Sequence, residues 1–215
     1  MSSLIFYTNE SQALIATDTL ATSNKIPGVP FKFTTKAFIV PHLRMVIAGT
    51  GCGGFCDRWF LHINDRMIVK GIVNLDYHTP KNLALLWSSY KKEFSIPDNA
   101  TTTIFHFGFS EEDQKLYPIM YSSADNFESK VIPYGLSGKP EFNCPESYEL
   151  PKDFKTMMNS QRELQSSETK ENKIYIGGEI LLIRLEIDGF IVQSLGRFDD
   201  YDSDKSAIYS NYGKV

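Results

Sequence analysis

An apolar run opens this chain almost at once and turns back on itself within eighteen residues. Leu4, Ile5, Phe6, Tyr7 and Thr8 are followed by the polar residues Asn9, Glu10, Ser11 and Gln12, and then by Ala13, Leu14, Ile15, Ala16, Thr17 and Asp18. Two short apolar runs around a polar turn predict a β-hairpin. A signal peptide needs a basic start and a longer apolar core, and a membrane span needs about 20 apolar residues, so neither is expected here. The first residues therefore belong inside the fold. A free terminus ordinarily frays unless something ties it down, and use of that terminus in chemistry is one reason to tie it.

The chemistry available to such a terminus centres on Ser2. A serine hydroxyl is a weak nucleophile until a base within hydrogen-bond reach takes its proton, and a terminal serine carries its own α-amine close by. That amine titrates near pH 8, so a neutral fraction exists at pH 7. A neighbouring lysine ammonium holds it less protonated, an aspartate holds the lysine, and a backbone N–H is needed for the oxyanion. Exposure of Ser2 requires removal of Met1.

Those requirements coincide with a pattern. Ser2 before an apolar run, the return strand ending in Ala16-Thr17-Asp18-Thr19, and Lys36 before a stretch ending in Ile47-Ala48-Gly49 resemble the N-terminal-nucleophile hydrolases. Within them the chain resembles the proteasome β subunits and the peptidase subunit of bacterial two-component proteases. Ser137-Gly138 and Ile176-Gly177-Gly178 extend the resemblance to the middle and the late part of the chain. It implies Ser2 as nucleophile, Asp18 and Lys36 as the pair that tunes its amine, Gly49 as oxyanion donor and Ser137 as a supporting hydroxyl, with Ile47 near the pocket for the residue before the scissile bond. It also implies a four-layer α/β/β/α sandwich of two mostly antiparallel sheets, a peptide or other amide substrate, and a homo-oligomeric ring with an unidentified regulatory partner. Two departures stand out: Lys173 and Ile176 occupy positions where the family has an aspartate and a serine, and the nucleophile is Ser rather than Thr. Lys173 and Ile176 favour the alternative of a catalytically inactive scaffold or ring-forming subunit, while Ser2, Asp18, Lys36 and Gly49 together favour the hydrolase.

Each residue also has a plainer reading. Ser2 follows the initiator Met as small residues commonly do, Asp18 suits a turn or cap, Lys36 a solvated position and Ser137 a turn. Gly49-Thr50-Gly51-Cys52-Gly53-Gly54 formally satisfies the dinucleotide fingerprint, with Asp76 as the ribose acid. That motif belongs on the first strand of alternating βαβ units, whereas strand-like runs come first here. His42, His62, His78 and His106 lie on different predicted elements without ligand spacing, so neither a metal site nor a histidine triad is expected, and no cofactor is implied.

The 215 residues suit one domain, and 42% hydrophobic with 22% charged residues is the make-up of an ordinary globule. A net charge of −4 offers no basic face to a phosphate backbone, so no nucleic-acid partner is expected. Cys52, Cys56 and Cys144 are odd in number and read as reduced thiols, consistent with a cytoplasmic chain.

Later elements follow from local signals. Phe38–Val40 and Arg44–Ala48 read as buried strands, and a helix starts at the glycines before Phe55. A second helix is expected to open at Thr79 as its cap, with Pro80 at its first position. Thr101–Phe109 and Leu116–Ser122 form a hairpin, and Glu128–Tyr134 a further strand. Residues 139–172 turn polar and read as a partly mobile insertion around a helix starting near Pro151. Asp188-Gly189 closes a last hairpin, and 199–215 reads as a solvated acidic tail.

Overall fold

The computed structural model describes residues 3–23, 26–170 and 172–212. The first hairpin pairs β1 (Leu4–Asn9) with β2 (Gln12–Asp18). Asn9 makes the turn: its side-chain carbonyl accepts the N–H groups of Ser11 at 2.9 Å and Gln12 at 3.0 Å, so Glu10 and Ser11 alone span the strands. β3 (Leu20–Thr22) and β4 (Pro30–Phe33) form a small separate ribbon. β5 (Ala37–Val40) and β6 (Met45–Gly51) precede helices α1 (Phe55–Arg66) and α2 (Ile72–Glu93). Then come β7 (Thr102–Phe109), β8 (Leu116–Ser122), β9 (Ser129–Val131), β10 (Gly135–Lys139), α3 (Phe154–Ser166), β11 (Glu179–Glu186), β12 (Gly189–Arg197) and α4 (Tyr201–Asn211).

Two five-stranded sheets carry the fold, in the orders β10-β1-β2-β11-β12 and β5-β6-β7-β8-β9, and every strand pair among the described residues is antiparallel. Because strand side chains alternate between faces, three separate cores define four layers. Leu4, Phe6, Ala13 and Ile15 meet Val46, Ala48, Phe105 and Phe107 between the sheets. Ile5, Leu14, Ala16 and Leu182 turn the other way, onto Phe154, Met157 and Met158 of α3. Met45, Ile47, Ile104 and Ile119 face Phe55, Trp59, Leu75 and Trp87 of α1 and α2. The result is the expected four-layer α/β/β/α sandwich, α3 on one sheet and α1 with α2 on the other.

Several local expectations need correction. The second helix runs from Ile72, not Thr79, with Pro80 inside it. An internal proline costs about 3 kcal/mol, but Ile72 and Leu75 before it and Leu83 and Trp87 after it are all buried on one face. At about 1.5–3 kcal/mol per buried side chain, that face outweighs the break. The N-terminal cap comes from far away: the Glu111 carboxylate accepts the N–H groups of Val73 at 3.1 Å and Asn74 at 2.8 Å. Thr79 instead donates its hydroxyl to Leu75 O inside the helix at 2.9 Å.

The last hairpin closes on Glu186 opposite Gly189, so its two loop residues are Ile187 and Asp188, one position earlier than Asp188-Gly189. The strand expected from Glu128 to Tyr134 keeps Ser129–Val131. The segment read as a solvated tail holds α4, which docks on β4 through Tyr201 stacked on Phe33 at 4.8 Å between ring centres. Of the segment read as partly mobile, residues 154–166 form α3 and bury Phe154, Met157, Met158 and Gln161.

Candidate active site

The two sheets bring their ends together at Asp18. Asp18 ends β2, and Lys36 stands one residue before β5, whose first pair is Ala37 with Ala48; Lys36 and Gly49 thus flank the same end of that ladder. The Lys36 side chain crosses to the other sheet, where Nζ donates to Asp18 Oδ1 at 2.7 Å, and it also donates to Leu20 O of the β3–β4 ribbon at 2.6 Å. Asp18 is wholly buried and accepts more: the Ser3 N–H at 2.9 Å on Oδ1 and the Gly177 N–H at 3.1 Å on Oδ2. A buried carboxylate held by one ammonium and two backbone donors is fully compensated, which is what such burial requires. Burial pushes the Lys36 pKa below its ordinary value, while the charge of Asp18 and its hydrogen bond act the other way.

Ser2 lies outside the described residues. The peptide bond that joins it to Ser3 leaves it one residue from the amide that Asp18 accepts. Ser3 itself is buried, its hydroxyl hydrogen-bonded to the Gln161 side chain, and the Gln161 amide in turn donates to Pro140 O at 2.6 Å. Gln161 was not anticipated. Its signal is positional: it follows Phe154, Met157 and Met158 at helical spacing, on the buried face of α3.

Gly49 is glycine for a packing reason as well. A Cβ there would stand 2.6 Å from Cys56 Cβ, because α1 lies directly against β6 at this point. Gly49 also lines a cavity of about 250 Å³, whose walls include Lys36, Leu20, Thr35, Cys52 and Asp57. Asp18, Lys36, Gly49 and the Ser3 amide are therefore gathered at one end of the sandwich.

Other expected residues fall elsewhere. Ser137 sits on β10 opposite Phe6, and is not among the residues lining the cavity. Ile47 packs into the core beneath α1 rather than onto the cavity. Lys173 lies 5.6 Å from the centre of the Tyr175 ring, and Ile176 is buried in the core beside α3. What that segment contributes to Asp18 is the backbone N–H of the next residue, Gly177.

The dinucleotide reading of Gly49–Gly54 is overturned. β6 is an internal antiparallel strand between β5 and β7, not the first strand of a parallel unit. Asp76 is on α2, where its Oδ1 accepts the hydroxyls of Tyr121 and Ser129 at 2.6 Å each. His106 is fully buried, its Nε2 accepting from the Trp59 indole at 2.8 Å, and burial drives its pKa down to about 3. Among the described residues no group of His, Cys, Asp and Glu is arranged to hold a metal, and no helix is long and apolar enough to cross a membrane.

No protein-family model and no curated protein matches the chain. Solved structures do. The chain is similar to an Anbu mutant from Hyphomicrobium sp. strain MC1, with a TM-score of 0.60 and 12% identity over 98% of this chain and 94% of that one. It is similar to Anbu from the same strain, with a TM-score of 0.58 and 12% identity over 100% and 98% of the two chains. Anbu from Yersinia bercovieri, described as an ancestral beta-subunit, gives a TM-score of 0.58 and 10% identity over 100% and 97%. These comparisons correct the family named from the sequence. These three structures are Anbu proteins, a family distinct from the proteasome β subunits and the two-component-protease subunit, and at 10–12% identity the likeness is one of fold.

Proposed function

We propose that this chain is an N-terminal-serine amide hydrolase that acts on peptides or other amides once Ser2 carries a free α-amine. The observation that supports it is the Asp18 hub, where one buried carboxylate holds both the Lys36 ammonium and the amide of Ser3, at 2.7 and 2.9 Å, beside a cavity. In this reading Ser2 Oγ attacks the carbonyl and its own amine takes the proton. Lys36, fixed by Asp18, keeps that amine from being protonated by like-charge repulsion. The Gly49 N–H stabilises the oxyanion, and Ser137 has no part assigned to it. The released amine leaves with the proton, and water then cleaves the acyl ester with the α-amine again as base.

The second reading is a non-catalytic scaffold, which rests on Lys173 and Ile176 standing where two supporting residues are expected. A homo-oligomeric assembly and a cytoplasmic setting are compatible with either reading.

Intact mass before and after incubation with a β-lactone that acylates terminal hydroxyl nucleophiles separates the two. Loss of Met1 with a single adduct, absent from Ser2→Ala, is the expected result. Retained Met1 without an adduct overturns the hydrolase reading in favour of the scaffold.

A further inference from the structure

The Gly177 N–H that Asp18 accepts is backed, on its far side, by a carboxylate from the last helix. A Cβ on Gly177 would stand 3.1 Å from Asp204 Oδ2 and 2.9 Å from Leu20 Cδ2, so α4 presses directly on this glycine. The carbonyl of Gly177 is also engaged, accepting the N–H groups of Thr19 at 3.3 Å and Leu20 at 3.1 Å. The next residue, Gly178, accepts the Phe198 N–H at 3.0 Å just before α4 begins. The turn that steadies Asp18 is therefore held from two directions, by the β2–β3 corner and by α4.

The contact with α4 is polar on one side only. Asp204 Oδ2 is sealed from solvent and has no hydrogen-bond partner among the described residues, and neither has Asp200 Oδ1, one helical turn earlier. Residues four apart share a helix face, so the two carboxylates repel each other when both are ionised. One cation serves them: Arg162 of α3 forms an ion pair with Asp200 and lays its guanidinium 4.8 Å from the centre of the Phe198 ring. Other charges are turned away or engaged. Asp202 and Lys205 are exposed, the Arg197 guanidinium lies over the Tyr201 ring, and Asp18 beyond Gly177 is held by Lys36. Burial first, and the charge of Asp200 second, push the Asp204 carboxyl up to about 6, with Arg162 acting the other way.

We infer that α4 is a proton-controlled latch on the Gly177-Gly178 turn: with Asp204 protonated it closes on Gly177 and steadies the N–H that Asp18 accepts, and with Asp204 ionised it loosens. A neutral carboxyl suits a dry contact with a glycine, whereas a carboxylate there lacks the donors its burial demands. The sign follows from linkage. A group that holds its proton more tightly when docked favours docking at low pH, and that advantage is lost as pH rises through about 6. The latch acts on the Asp18 hub whatever chemistry the hub performs, so it does not depend on the hydrolase reading.

Amide hydrogen exchange of the full chain at pH 5, 6 and 7, corrected for the intrinsic pH dependence of exchange, tests this on two peptides, one spanning 199–211 and one spanning 174–180. Both should be about three- to ten-fold better protected at pH 5 than at pH 7, the lower figure reflecting solvent screening of a partly exposed carboxylate. Asp204→Asn, neutral at every pH, should show the high protection throughout. Asp200→Asn releases Arg162 to Asp204 and should flatten the pH dependence. Protection that does not change with pH in the parent, or a pH dependence that survives in Asp204→Asn, overturns the latch. A response of 199–211 alone, with 174–180 unmoved, overturns it as well, because α4 would then titrate without reaching Gly177. Ser2→Ala should exchange like the parent, which keeps this outcome separate from that of the lactone experiment.

Discussion

The Asp18–Lys36 pair and the His106–Trp59 pair are both buried and both polar, and each bridges two elements, yet they differ in what surrounds them. His106 and Trp59 sit within the core beneath α1 and α2, both fully covered, with the Tyr121 ring edge-on to the imidazole at 4.8 Å between centres. Lys36 lines the cavity, and the backbone that Asp18 grips belongs to the start of the chain. Burial shifts the ionisation of Lys36 and His106 alike, both downward. A displaced pKa therefore marks a buried group, and access to open space is what separates a candidate site from a core polar contact.

Substituting Lys36→Met should sharpen that contrast most. It leaves the Asp18 carboxylate buried with only backbone donors, at a cost of about 3–5 kcal/mol. It should also slow acylation by a β-lactone by roughly 10³-fold, within the range for loss of a group that supports proton transfer. Denaturant melts and adduct-formation rates on the same sample read both. A variant that is destabilised yet acylates at the parent rate would make Lys36 structural and the two clusters equivalent.

The next effect belongs to the sealed cluster and is one of pH. The His106 imidazole has an ordinary value of 6.5 and is pushed to about 3 in the folded chain. Unfolded chain thus takes up a proton between those values that the folded chain refuses. The stabilisation is complete above about pH 6.5 and is lost as pH falls toward 3, at about 1.4 kcal/mol per pH unit. Urea melts between pH 7 and 4 should show a slope shallower by about one proton in His106→Gln. Parallel slopes would show that the imidazole is reached by solvent.

How far these clusters were legible in the sequence follows from how local their causes are. The hairpin of β1 and β2 announces itself through two apolar runs on either side of a polar turn, and Asp18, Lys36 and Gly49 were picked out by the motifs that carry the family resemblance. Side chains that act across long separations could not. Glu111 caps a helix 37 residues before it, Gln161 reaches Ser3 across 158 positions, and the Gly177 N–H reaches Asp18 across 159. The helix at the end of the chain was not foreseen because α4 buries no side chain fully and shows no strong apolar stripe. What docks it is a stacked Tyr201, with the Arg197 guanidinium 4.2 Å from the centre of that ring. Ser137 matched a motif, but strand register sets it opposite Phe6.

A smaller effect is expected on the site side from Gly49→Ala. The added Cβ would press to 2.6 Å from Cys56 Cβ, and overpacking of this kind costs about 1–3 kcal/mol. If the Gly49 N–H serves the oxyanion, the same shift of β6 against α1 should lower the acylation rate beyond what stability explains. Melting temperature and lactone reactivity, compared at a temperature where both proteins are folded, separate the two contributions.

The smallest change tests the sealed side without touching its volume. Tyr121→Phe deletes the hydroxyl that donates to Asp76 Oδ1 at 2.6 Å, and leaves the ring against His106 in place. Asp76 keeps the Ser129 hydroxyl, also at 2.6 Å, so the carboxylate is not orphaned and the loss should be about 1 kcal/mol. Lactone reactivity should stay at the parent level, because Tyr121 packs in the core beneath α1 and α2 while Asp18 takes its bonds from Lys36, Ser3 and Gly177. A fall in reactivity with unchanged stability would mean that the two clusters communicate through α2 and β8, and the distinction drawn from access alone would fail.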